Sequence, residues 1–127
     1  MNALVGERMS IITNKPQTTR HRIIGLVSGE NYQVVFSDTP GVIDDPAYRM
    51  QESMNHFAFS TFEDADIMMF VTEPGEHYTD EDPVIQRLQN VKVPLFLLIN
   101  KIDTVDDGRV LELIKKWNDR IRFTETI

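Results

Sequence analysis

The chain has 127 residues, enough for one domain with a real core, and 41% hydrophobic against 26% charged residues is a globular balance that excludes wholesale disorder. A net charge of -7 and a sequence pI near 4.8 argue against a chain-wide nucleic-acid surface, which needs a basic face, and leave room only for a local basic loop. With no cysteine there is neither a disulfide framework nor a zinc-thiolate site, and with no apolar run of membrane-spanning length and no signal-like amino terminus a soluble, intracellular protein is the default.

Met1 to Val5 reads as the last turn of a helix closed by Gly6 as a left-handed cap, and Ser10 to Arg22 is polar, proline-bearing and aperiodic, hence a loop. Ile23–Val27 and Tyr32–Phe36 are apolar or β-branched and are separated by the turn Ser28 to Asn31, which predicts a β-hairpin. The second strand runs out through Ser37 into Asp38-Thr39-Pro40-Gly41. Pro40 has no N–H, and Gly41 can adopt backbone angles closed to other residues, so a carboxylate is left at a strand's carboxyl end beside an approachable N–H. From Tyr48 to Phe62, Met50, Met54, Phe57, Ala58 and Thr61 recur at helical spacing, which predicts a helix with one buried face.

Ile67 to Val71 is a continuous apolar run, the pattern of a strand covered on both faces. Thr79-Asp80-Glu81-Asp82 supplies a threonine cap and negative charge for a helix running to about Asn90. Val93 to Ile99 is a second buried strand, ending in Asn100-Lys101-Ile102-Asp103. Asp106 or Asp107 caps a last helix with Val110, Leu111, Ile114 and Trp117 on one stripe, and Arg120 to Ile127 leads toward another strand. Strands alternating with helices predict an α/β fold with a largely parallel sheet and right-handed crossovers, the hairpin contributing one antiparallel member.

Two sharp strand ends, Asp38 to Gly41 and Asn100 to Asp103, thus belong to the edge of an open α/β sheet where ligands bind. The second has a specific chemistry. A carboxylate accepts two parallel hydrogen bonds from the ring N–H and exocyclic amine of guanine, and an asparagine amide serves the other polar edge of the base. Adenine reverses that pattern and would leave Asp103 unpaired, at roughly 1–3 kcal/mol for a buried polar group. Lys101 is placed along the base plane with its stem packed.

In order and spacing, Asn2-Ala3-Leu4-Val5-Gly6, Lys15 to Ile23, Asp38 to Gly41 and Asn100 to Asp103 resemble the translation-factor-like GTPases, and among them the Era-type family of small ribosomal subunit assembly. Lys15-Pro16-Gln17-Thr18-Thr19-Arg20 singles out the Era type from its sisters. The resemblance implies a P-loop NTPase-like G domain that binds GTP or GDP with Mg2+. In it Thr18 or Thr19, with Thr19 preferred, would complete the metal shell and sense the γ-phosphate. Asp38 would hold Mg2+ through water, the Gly41 N–H would bond the γ-phosphate, and Asn100, Lys101 and Asp103 would read the base. Val42 stands where Ras-like enzymes carry a glutamine, which implies slow intrinsic hydrolysis; no side chain is assigned as general base. The implied partners are guanine nucleotide, the small subunit and its 16S rRNA; the implied location is cytoplasmic, with peripheral association at the inner membrane as a further expectation.

Simpler readings apply to other charged groups. Lys15, Arg20, His21 and Arg22 read as a solvated switch loop before an RNA contact; His56 and His77 as surface residues. Glu73, Glu76, Asp80, Glu81 and Asp82 lack the spacing and glycine of a calcium loop and read as a solvated helix start.

The family's first strand and its Gly-x-x-x-x-Gly-Lys-Ser loop, which cradles the phosphates, do not occur in these residues, nor do its Ser-Ala loop, last strand or KH RNA-binding domain. The expectation is therefore a partial G domain over 1–127, with unpaired apolar strand edges where the first strand would lie. The parent is expected to be a GTPase and this chain to bind GTP weakly. The alternatives are a non-catalytic binding module and a sister GTPase with another RNA-related role.

Overall fold

The computed structural model describes Gly6, residues 22–41 and residues 49–127, apart from the side chains of 49–53. It divides into two compact units, Met1–Asp64 and Ala65–Ile127. The helix end expected at Met1 to Val5 and the loop before Arg22 fall outside the described residues, except that Gly6 has the positive φ of 79° that a left-handed cap requires.

In the first unit, β1 (Ile23–Ser28) and β2 (Gln33–Asp38) form the predicted antiparallel hairpin, in register from Ile23 opposite Asp38 to Ser28 opposite Gln33. β2 outlasts its apolar run by two residues because Ser37 and Asp38 still pair with Ile24 and Ile23; pairing stops before Pro40, which has no N–H to give. The turn closes through the Gly29 N–H on the Tyr32 carbonyl at 2.8 Å, and the Tyr32 ring lies so near that a Cβ at Gly29 would sit 2.4 Å from it. Ile24, Leu26 and Val35 share one face by this register, and all three are exposed. The helix α1 (Arg49–Asp64) buries Met54 and Ala58, four residues apart as the period predicts. Arg22 is a strut. It donates from Nε to Ser37 Oγ at 2.5 Å and from Nη1 to Asp64 Oδ2 at 2.7 Å, joining the start of β1 to β2 and to the end of α1.

The second unit is built on a parallel sheet in the order β3 (Met68–Thr72), β4 (Leu95–Ile99), β5 (Glu125–Thr126). Parallel neighbours need long crossovers. These contain α2 (Pro83–Gln89) and α3 (Asp107–Arg120). The segment leading from Arg120 supplies β5, and the Ile127 N–H and carbonyl continue its bonding to β4 at 2.8 and 2.9 Å. The core is Ile85 and Leu88 of α2, Leu95, Leu97 and Ile99 of β4, and Leu113, Trp117 and Ile121 at α3, with Leu97 fully buried at the centre of the middle strand.

Three details depart from the expectations. α2 starts at Pro83 rather than at the Thr79 cap, because a residue before proline is driven out of the helical region: Asp82 has ψ 128°. Its carboxylate reaches back instead to accept from the Thr79 N–H at 2.6 Å. On β3 only Met68 and Thr72 are buried, while Met69 and Val71 are exposed, so this strand is covered on one face. On α3 the inward stripe runs through Val110, Leu113, Ile114, Trp117 and Ile121; Leu111 points out, 67% exposed. No helix among the described residues is long and apolar enough to cross a membrane.

Candidate functional site

The Asn100 to Asp103 turn is positioned by the parallel register. Thr72 stands opposite Ile99, so β3 and β4 end on the same rung, and the Asn100 N–H donates to the Thr72 carbonyl at 2.8 Å. Lys101 then takes φ 57°, the left-handed region, the one positive φ outside glycine among the described residues. That reversal starts a single 3-10 turn over Ile102–Thr104. Thr104 fastens it: its N–H and its hydroxyl both bond the Lys101 carbonyl, at 3.1 and 2.6 Å. Asp106 caps α3, its Oδ1 accepting from the Arg109 N–H at 2.9 Å, which settles which of the two aspartates is the cap.

Asn100, Lys101 and Asp103 are all exposed on this turn. Their donors and acceptors are therefore presented outward, beyond the carboxyl end of a central parallel strand, where an incoming base can meet them. The Lys101 ammonium is ion-paired with Glu73, the residue that follows β3. Hydrogen bonding and attraction from that carboxylate raise the Lys101 pKa above its ordinary value of 10.5.

The acidic stretch after β3 has more structure than a solvated helix start. Glu76 Oε2 accepts from the Thr72 hydroxyl at 2.8 Å, the Glu73 N–H at 3.2 Å and the Tyr78 hydroxyl at 3.3 Å. The Tyr78 ring joins Phe70 and Trp117, each 5.7 Å from it between centroids. Arg120, stacked 5.4 Å over Trp117, donates from Nε and Nη2 to Asp80 at 3.0 and 2.7 Å. Every link is tertiary or depends on a turn, so the sequence held no signal for Glu73 beyond its position one residue past a strand.

In the first unit, Asp38 closes β2 and is half-buried, Pro40 is buried, and Gly41 is exposed. Gly41 does not adopt a positive φ, and a Cβ there would meet no atom within 4 Å, so neither its conformational freedom nor its smallness is needed at this position. Thr18, Thr19 and Val42 lie outside the described residues, as do Lys15, Arg20 and His21. His56 and His77 are exposed, as expected. Among the described residues no three of His, Cys, Asp or Glu group as a metal site. Asp38 supplies one carboxylate at the end of β2, an oxygen donor of the type that suits Mg2+. A groove of about 580 Å³ lies at the other end of β4, lined by Leu88, Lys92, Leu95, Arg122 and Phe123, and so is remote from the Asn100 turn.

Known proteins share this chain's sequence and fold. The chain is 37% identical over 128 aligned residues to GTPase Era of Clostridium acetobutylicum, a match covering all of this chain and 43% of that protein. A solved structure of Era in complex with MgGDPNP and nucleotides 1506–1542 of 16S ribosomal RNA superposes with a TM-score of 0.84 at 31% identity, covering 99% of this chain and 44% of that one. A variant of Aquifex aeolicus Era bound to GDP and aluminium fluoride gives 0.83 at 30%. The chain thus spans less than half the length of these relatives. A family model described as 50S ribosome-binding GTPase matches residues 1–101, and the chain belongs to that family, with GTPase Era similar to it from end to end.

Proposed function

We propose that this chain is the base-reading and switch part of an Era-type GTPase that works with 16S rRNA in small ribosomal subunit assembly. The observation that carries the reading is the Asn100–Asp103 turn, an amide and a carboxylate offered outward beyond a central parallel strand, with a lysine between them in the left-handed conformation. The amide and carboxylate fit guanine's two polar edges. Asp103 accepts from the ring N–H and the exocyclic amine, Asn100 serves the opposite edge, and the stem of Lys101 underlies the base plane. Asp38 closes β2 and offers an acceptor for metal-bound water, and Gly41, three residues on, offers its N–H to a phosphate oxygen. Bound nucleotide and Mg2+ supply the phosphoryl chemistry. The residues of this chain orient the base and register the γ-phosphate, and Thr19 is the proposed metal-shell partner. The RNA-bound and nucleotide-bound states of the Era structures support the same cofactors and partner here. A cytoplasmic place of action, with peripheral contact at the inner membrane, completes the proposal.

Since no Gly-x-x-x-x-Gly-Lys-Ser occurs in these residues, base recognition is expected without a strong phosphate grip. The test is a nuclear magnetic resonance titration of the 127-residue chain with GDP and ADP, each with Mg2+, at millimolar concentrations. GDP should shift the amides of Asn100 to Thr104 and ADP should leave them in place. The variant Asp103→Asn, which replaces an acceptor by a donor, should lose GDP and gain xanthosine diphosphate, whose second carbonyl accepts. Equal responses to GDP and ADP would refute guanine reading.

A further inference from the structure

Glu73 is reached by no family motif, yet it is the residue that meets the guanine-reading turn. Two strands of equal length end together, and the next residues on each, Glu73 and Asn100, leave the sheet side by side. The Asn100 N–H is bound to the Thr72 carbonyl, and from the left-handed position beyond it Lys101 sends its ammonium to the Glu73 carboxylate. The loop bearing Glu73 is itself held at several points: by Glu76 at its base, by the Tyr78 ring against Phe70 and Trp117, and by the Arg120 pair to Asp80. A carboxylate on so braced a loop can fix a flexible partner.

We propose that Glu73 is a positioning residue for guanine recognition: its carboxylate fixes the Lys101 ammonium and so extends the lysine stem on which the base rests. Lysine carries more side-chain conformational freedom than almost any residue, and ordering it opposes binding. A stem already extended by Glu73 loses less when the base settles. The pairing uses only the terminal nitrogen, so the methylene stem remains free to pack, and 59% exposure of the Lys101 side chain leaves it open to the ligand. The inference rests on the guanine reading of the turn given above.

Its test is the same GDP titration applied to Glu73→Gln, to Lys101→Met and to the double variant, with the Lys101 ammonium signal and its alkaline titration followed in the two chains that retain the lysine. Glu73→Gln should weaken GDP about threefold, the size expected of an exposed, pre-formed pair, and should not change affinity further when Lys101 is already Met. The Lys101 midpoint should fall toward 10.5 in Glu73→Gln, which shows that the pair is made in the unaltered chain, and the loss of any Glu73 effect on GDP in the Lys101→Met background is what a purely architectural role would not produce. Emission of Trp117 checks that each variant is folded. Unchanged or tighter GDP binding by Glu73→Gln, or the same threefold loss in the Lys101→Met background, overturns the proposal and leaves the guanine reading standing. No guanine-selective shift in the unaltered chain overturns the guanine reading and, with it, the role of Glu73.

Discussion

Two leucines on α3 separate burial from mere sequence pattern. Leu111 and Leu113 lie two residues apart on one helix, and the same substitution to alanine alters helix propensity in each by the same small amount. Leu113 is 5% exposed and Leu111 is 67% exposed. Truncating a buried leucine removes its transfer free energy and leaves a cavity, about 2–5 kcal/mol together, whereas an exposed one changes stability by within about 0.5 kcal/mol. A unit of roughly sixty residues holds about 3–9 kcal/mol in all, so Leu113→Ala should consume a large share of it. The assay is equilibrium urea unfolding followed by Trp117, the single tryptophan of the chain, with far-ultraviolet circular dichroism as a second probe. With a slope of about 1 kcal/mol per molar urea, Leu113→Ala should lower the midpoint by roughly 2 M or more, and Leu111→Ala by less than about 0.5 M. Equal shifts for the two variants would refute the inward stripe assigned to α3.

Asp106→Ala removes the cap on the Arg109 N–H and should destabilise the second unit by about 1 kcal/mol, with Asp106→Asn restoring most of it; no change in the urea midpoint would discount the cap. The Lys101 pair gives a pH dependence whose sign follows from the raised pKa. The folded chain holds that proton more tightly than the unfolded one, so the contribution is fully present below 10.5 and is lost as the pH climbs through the higher folded value. Urea midpoints measured across that alkaline range should therefore fall less in Glu73→Gln than in the unaltered chain.

The hairpin, α1, the central strands and α3 were legible because each carries its own period or turn chemistry. Met54 and Ala58 repeat by four, and Ser28 to Asn31 interrupts two β-branched runs. Asn100 to Asp103 was legible as a candidate site because its residue types have one good chemical use together. What escaped was set by distance in the fold or by a competing local rule. Ile67 to Val71 is apolar throughout, and such a run does not say how many faces are covered; here Met69 and Val71 are exposed. Thr79 has the right residues after it for a capping box, but Pro83 dictates an extended Asp82 and delays the helix. Leu111 falls just beyond Ile114, the near edge of the stripe, and only packing excludes it. Glu73 pairs with a lysine 28 positions away, which no local pattern encodes.

The equal ends of β3 and β4 act as a ruler. One strand residue spans about 3.3 Å and reverses the face on which its side chain stands. Inserting a single residue into β3 would therefore slide Glu73 one rung past Asn100 and aim its carboxylate away from Lys101, although every residue of the Asn100–Asp103 turn remained in place. The lengths of the two strands are coupled through one ion pair: a change in either breaks it unless the other changes with it.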